Sequence, residues 1–104
     1  MGYKFKFSNN RYTEGEYSSK VIANVSGDKL RQGTGSSTVA NLDSSRKKVR
    51  KGTGSTTLCN IYGDDIREGT GSSRIGKVSK DVMKTIKNST GSPMDVAFWY
   101  LFVK

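Results

Sequence analysis

The sequence predicts a mainly β domain: about five tandem antiparallel β-hairpins around a pseudo-symmetry axis, with a C-terminal hydrophobic segment, read as a short helix, filling the centre. Three observations carry this expectation. A Gly-Thr-Gly punctuation recurs at 33–35, 52–54 and 69–71, with Ser89-Thr90-Gly91 as a fourth mark and Gly15-Glu16-Tyr17 as a degenerate first, at spacings of 18, 19, 17 and 20 residues. Between the marks one phrase returns as Ile22-Ala23-Asn24-Val25, Val39-Ala40-Asn41-Leu42, Leu58-Cys59-Asn60-Ile61 and Ile75-Gly76-Lys77-Val78, with Lys4-Phe5-Lys6-Phe7 as its weakest copy. The densest run of large apolar side chains lies at the end, from Ser92 to Lys104. The chain of 104 residues reads as one domain, with repeats over about 3–17, 21–35, 38–54, 57–71 and 74–91 and a core segment over 92–104.

Each phrase is followed by a turn and a second short strand centred on Tyr12, Leu30, Val49, Ile66 or Ile86. Gly27-Asp28 and Gly63-Asp64 suit a type II′ hairpin loop and Asn9-Asn10 a type I′ loop, because these residues accept positive φ. Such loops set Val25 opposite Leu30, Ile61 opposite Ile66 and Phe7 opposite Tyr12. With side chains alternating at period two, Ala23, Ala40, Cys59 and Gly76 share that face and form a column of small residues. In the third hairpin two extra residues between Leu42 and Val49 lengthen the loop without flipping a strand. In the last, Val78 and Ile86 are separated by an odd increment, which calls for a bulge or for Met83 opposite Val78. Ile75, Val78, Val82 and Ile86 also fit an amphipathic helix, but the flanking Gly69 to Ser73 and Asn88 to Ser92 align with the other copies and favour strands.

Ser92-Pro93-Met94-Asp95 has the Ser-x-x-acid form of a capping box with Pro at the first helical position. The residues after Asp95 are apolar on every side of a helical wheel, which implies burial all round. A buried β-strand is the competing reading, given the aromatic and β-branched content. A lone hairpin is marginal in water, so the hairpins need a shared apolar partner, and the small-residue column leaves room for Phe98, Trp99, Leu101 and Phe102.

The repeated phrase, the segments Gly27-Asp28-Lys29-Leu30-Arg31-Gln32 and Gly33-Thr34-Gly35-Ser36-Ser37, and the aromatic tail together resemble bacterial beta-flower repeat proteins of the five-fold type. The resemblance covers nearly the whole chain. It implies a ring of hairpin petals around a pseudo-symmetry axis, and it carries no activity or functional residues with it. The first copy departs most, having Phe5 in the small column and no Gly-x-Gly.

Eighteen Lys and Arg against nine Asp and Glu give a net charge of +9, which favours anionic partners such as nucleic acid. The strongest basic cluster is Arg46, Lys47, Lys48, Arg50 and Lys51 on the longest hairpin; it suits phosphate contact, or simply a charged hairpin that resists aggregation. Arg74, Lys77, Lys80, Lys84 and Lys87 form a second basic stretch with the same two readings. Gly71-Ser72-Ser73-Arg74-Ile75-Gly76-Lys77 begins like a phosphate-binding loop, but Val78 stands where Ser or Thr must hold magnesium. The Gly-Thr-Gly-Ser turns suit anion-binding nests less well than tight connections.

Catalysis is disfavoured. The chain contains no His, the commonest general base. Cys59 falls in the small column and reads as a packing residue, while Asp28, Asp64 and Asp65 fall in turns. A carboxylate pair from Glu14, Glu16 or Glu68 has no support from spacing. The single Cys permits no internal disulfide, no secretory h-region opens the sequence, and thirteen terminal residues fall short of the roughly 20 needed to cross a bilayer. The expectation is a cytoplasmic, non-enzymatic structural or binding module without cofactor, metal or membrane. The alternative is polyanion or nucleic-acid binding through residues 46–51.

Overall fold

Hairpins form where the turn residues accept positive φ, and the computed structural model, which describes residues 3–15 and 20–103, places them there. Asn9 and Asn10 both adopt positive φ (52° and 61°), joining Phe5–Ser8 (β1) to Arg11–Glu14 (β2). Gly27 (φ 59°) opens the turn between Val21–Ser26 (β3) and Lys29–Gln32 (β4), and Gly63 (φ 60°) the turn between Thr57–Tyr62 (β7) and Asp65–Glu68 (β8). The pairs Phe7 with Tyr12, Val25 with Leu30 and Ile61 with Ile66 stand opposite each other, as the turn types predict. The third hairpin, Thr38–Leu42 (β5) with Lys48–Lys51 (β6), keeps Leu42 opposite Val49 across its longer loop.

Successive hairpins also pair with one another, and each junction carries the same irregularity. The register slips between Tyr12 and Thr13, Leu30 and Arg31, Val49 and Arg50, and Ile66 and Arg67. The extra residue is Ile22, Val39, Leu58 or Ile75, the first aliphatic of each repeated phrase. A bulge bends its strand and increases the local twist. Recurring at every junction, it curves the sheet around a centre instead of letting it run flat.

The described residues form a ten-stranded sheet in the order β10-β1-β2-β3-β4-β5-β6-β7-β8-β9, where β9 is Arg74–Lys77 and β10 is Ile86–Lys87. Here the fifth unit departs from expectation. Strands β9 and β10 do not pair, so the last unit is not a β-hairpin. Val78–Val82 instead forms a π-helical turn, closed by the Met83 N–H donating to the Val78 C=O at 2.9 Å. The cause is burial: Val78, Val82 and Ile86 all enter the core, and a strand through them would turn Lys80 and Lys84 inward as well, whereas a helical turn leaves both lysines exposed. Met83 is exposed and does not face Val78 across a ladder. Strand β10 then runs parallel to β1, with Phe5 beside Ile86, and thereby joins the last unit to the first. The sheet is open between β9 and β10, and residues 78–85 span the opening.

The concave side is filled by the terminal segment. Pro93–Phe98 forms a helix (α1) with Ser92 as its N-cap, its hydroxyl accepting from the Asp95 N–H, and a second π-helical turn follows over Trp99–Val103. Met94 to Trp99 are buried, whereas Tyr100 to Val103 are half-buried, so Leu101 and Phe102 contribute less to the core than an all-round apolar wheel predicts. Phe98 stacks on Tyr12 at 4.2 Å between centroids, meets Phe5 edge-on at 4.9 Å and lies against Phe102 at 4.9 Å. Burying Phe98 and Trp99 contributes about 2–3 kcal/mol each. The small column receives them: Ala23, Ala40 and Cys59 are fully buried, and a Cβ on Gly76 would lie 2.8 Å from the Trp99 ring.

Asp95 does more than cap the helix. Its carboxylate, itself buried, accepts from the Tyr12 hydroxyl at 2.5 Å, from the Ser89 hydroxyl at 2.7 Å and from the Thr90 N–H at 3.3 Å. Burial, then the charge of Asp95 and its hydrogen bond, push the Tyr12 hydroxyl well above its ordinary value and keep it a donor. No helix among the described residues is long and apolar enough to cross a membrane.

Two outcomes are expected. A chain ending at Gly91 lacks the shared core and should show no cooperative thermal transition. Tyr12→Phe should lower the unfolding free energy by about 1–3 kcal/mol in urea titrations, because the Asp95 carboxylate loses a buried donor. An unchanged midpoint would show that Ser89 and Thr90 alone satisfy it.

Candidate functional site

The repeated asparagine organises the outer surface. Asn24 donates from Nδ2 to the carbonyls of Gly33 (2.7 Å) and Gly35 (3.1 Å), Asn41 to Gly52 (2.6 Å) and Gly54 (3.1 Å), and Asn60 to Gly69 (2.7 Å) and Gly71 (3.1 Å). An amide with two donors suits two carbonyls of one tight turn. The glycine N–H groups are also used internally: Gly33 donates to Ile22 and Gly35 to Gln32, with the same bonds at Gly52, Gly54, Gly69 and Gly71. These turns are therefore tight connections, and their glycines do not form anion nests.

Alternation about the buried column decides which charges face out. Tyr12, Leu30, Val49 and Ile66 are fully buried, so Arg11, Lys29, Arg31, Lys48, Arg50 and Arg67 project from the convex face. The two pairings of each asparagine's strand then set a cation on either side of it. Asn24 lies between Arg11 and Arg31, Asn41 between Lys29 and Arg50, and Asn60 between Lys48 and Arg67. Arg31 holds its Nε–H out of solvent with no hydrogen-bond partner among the described residues. A polar depression of about 230 Å³, lined by Asn9, Asn10, Arg11, Asn24, Val25 and Thr34, opens at the start of this stripe.

The basic hairpin at 46–51 is divided by the same geometry. Lys48 and Arg50 join the convex stripe, and Lys47 is exposed at the tip. Arg46 (φ 59°) is ion-paired with Asp28 on the neighbouring hairpin. Lys51, opposite Ala40, turns to the concave side, at the rim position that Glu14, Gln32 and Glu68 hold in their own hairpins. The five cations do not act from one surface.

Asp43 holds this hairpin in shape. It accepts from the Lys47 and Lys48 N–H groups, each at 3.0 Å, and from the Ser45 hydroxyl at 2.7 Å. The Ser45 hydrogen bond, with the two backbone donors and the Arg50 charge, holds its carboxyl down to about 2 against burial. Asp64 is likewise lowered, by hydrogen bonds from the Ser79 hydroxyl and N–H. Asp65 lies 3.8 Å from Arg74, and Asp81 accepts from the Lys77 N–H. Among the described strand residues only Asp65 places a carboxylate on the convex face, so its cations are largely unopposed.

Other sequence candidates separate. Arg74–Lys77 is a strand followed directly by a π-helical turn, not a phosphate-binding loop before a helix. Arg74, Lys77 and Lys80 line a second depression of about 340 Å³ with Ile75, Gly76 and Asp81. Cys59 is buried. Glu14 on β2 and Glu68 on β8 are not neighbours in the sheet, and Glu16 lies outside the described residues. No group of three or more His, Cys, Asp or Glu among the described residues is placed to hold a metal ion. No protein-family model, curated protein or solved structure matches this chain.

The depressed Asp43 value gives a signed pH dependence. A carboxyl whose folded value lies below its ordinary 3.8 contributes stability that is fully present above that value and is lost as pH falls through about 2. Asp43→Asn should therefore be less stable than the parent at neutral pH, with the difference shrinking between about pH 4 and pH 2 in denaturant melts. A difference constant across that range would contradict the assignment.

Proposed function

We propose that the protein is a small non-enzymatic binding module whose partner is a polyanion, held on the convex face of the sheet. The observation that carries this reading is the register that sets Arg11 and Arg31, Lys29 and Arg50, and Lys48 and Arg67 on either side of three equivalent asparagines. The cations stand on alternate strands with an asparagine strand between them, so they concentrate positive potential along one face without opposing one another directly. A row of such positions, with its acids mostly engaged elsewhere, suits a partner that carries regularly repeated negative charge. The resemblance to beta-flower repeat proteins, which supplies no activity, is compatible with a scaffold that presents one surface several times.

This reading differs from a basic-loop model in the residues it uses. Binding of inorganic polyphosphate should weaken as salt rises. Lys48→Gln with Arg50→Gln should weaken it about ten-fold near 0.1 M salt and reduce the salt slope by about 1 per lost contact. Lys51→Gln and Arg46→Gln, which remove charge from the concave rim and from an existing ion pair, should leave it within about two-fold. Equal losses per removed charge in the three variants would indicate net charge alone, and failure of the parent protein to bind would remove the reading.

A further inference from the structure

Tyr62 is the most exposed large apolar side chain among the described residues, at 66% of its full accessibility. It is the last residue of β7, where Cys59 points inward and Asn60 outward, so Tyr62 stands on the convex face with Asn60. The Arg67 guanidinium covers one side of its ring, with Cζ 4.2 Å from the centroid. Arg67 pairs with Asn60 across β7–β8, and Lys48 pairs with Asn60 across β6–β7, so the ring lies at the end of the cationic stripe. Asp65, its cross-strand neighbour, is engaged with Arg74.

The fold does not require an aromatic residue there. The matching positions in the other units are Ser8, Ser26, Asp43 and Ser79. Burial offers no reason for the tyrosine either, since most of its surface is in water. What the position does provide is a flat π surface, mostly in water, with a guanidinium over one side and the Lys48 and Arg67 charges beside it. Sequence-tolerant binding of single-stranded nucleic acid uses this combination, with bases stacked on an aromatic ring and phosphates on neighbouring Lys or Arg. A duplex keeps its base faces inside and cannot use such a ring.

We infer that the convex face binds single-stranded nucleic acid, with a base stacked on the ring of Tyr62 and the adjacent phosphates on Lys48 and Arg67. This rests on the polyanion reading and adds the class of ligand. Polyphosphate, which has charge without bases, separates the two.

The test compares oligothymidylate of about twelve nucleotides, an abasic oligomer of the same length, the corresponding duplex, and inorganic polyphosphate. Binding is followed by fluorescence anisotropy, by direct signal for the labelled strands and by competition for polyphosphate. The thymidylate should bind tighter than the abasic strand and the duplex. Tyr62→Ser, which installs the residue of the matching positions and should fold with an unchanged thermal transition, should weaken thymidylate binding at least about five-fold. It should leave polyphosphate within about two-fold, and Tyr62→Phe should retain thymidylate affinity. Loss confined to thymidylate supports the proposal. Equal weakening of both ligands, a preference for duplex, or no effect of Tyr62→Ser would overturn it while leaving the polyanion reading in place. Failure of the parent protein to bind either ligand would overturn both.

Discussion

Tyr12 meets the terminal helix twice, through its ring, stacked on Phe98, and through its hydroxyl, bonded to Asp95. These two contacts join the first hairpin to the last residues of the chain, and Ser89 and Thr90 bring the fifth unit to the same carboxylate. A buried carboxylate is tolerable only when its lone pairs are filled, so the three donors must arrive together. Phe98 and Trp99, packed with the inward Leu30, Val49, Ile66, Val82 and Ile86, supply apolar driving force. The Asp95 network determines where the helix sits along the axis of the curved sheet, and each hairpin packs around that position.

The convex face follows from the concave one. Once Leu30, Val49 and Ile66 turn inward, period-two alternation leaves their Lys and Arg neighbours no other direction. The asparagine clamps then hold each Gly-Thr-Gly turn against its own hairpin, and the bulges fix how one hairpin meets the next. Charge on the outer surface is thus presented by the same devices that curve the sheet. Tyr62 is the exception, because nothing in that construction calls for it.

Much of the fold was legible because it depends on local chemistry. Positive φ at Asn9-Asn10, Gly27 and Gly63 set the hairpin registers, and period two then identified the column of Ala23, Ala40, Cys59 and Gly76. Ser92-Pro93 marked the helix start for the same reason. The fifth unit was not legible, since a π-helical turn satisfies the helical spacing of Val78, Val82 and Ile86 between two short strands, and sequence periodicity offers only one or the other. Asp95 read as a capping acid, but its side chain bonds to a residue 83 positions away, and no local pattern encodes that. The basic cluster at 46–51 was visible, yet its division between two faces and an ion pair with Asp28 required the cross-strand register. The recurrence of Asn24, Asn41 and Asn60 was the one overlooked signal, a polar residue held at the same step of three phrases.

The most direct measurement is an amide-resolved NMR titration of the protein with inorganic polyphosphate. The account predicts that shifts concentrate on the convex strand positions, at Arg11, Asn24, Arg31, Asn41, Arg50, Asn60 and Arg67, while Gln32, Lys51 and Glu68 on the concave rim stay unmoved. Shifts centred on Lys51 and the rim, or spread evenly over every exposed lysine and arginine, would contradict it.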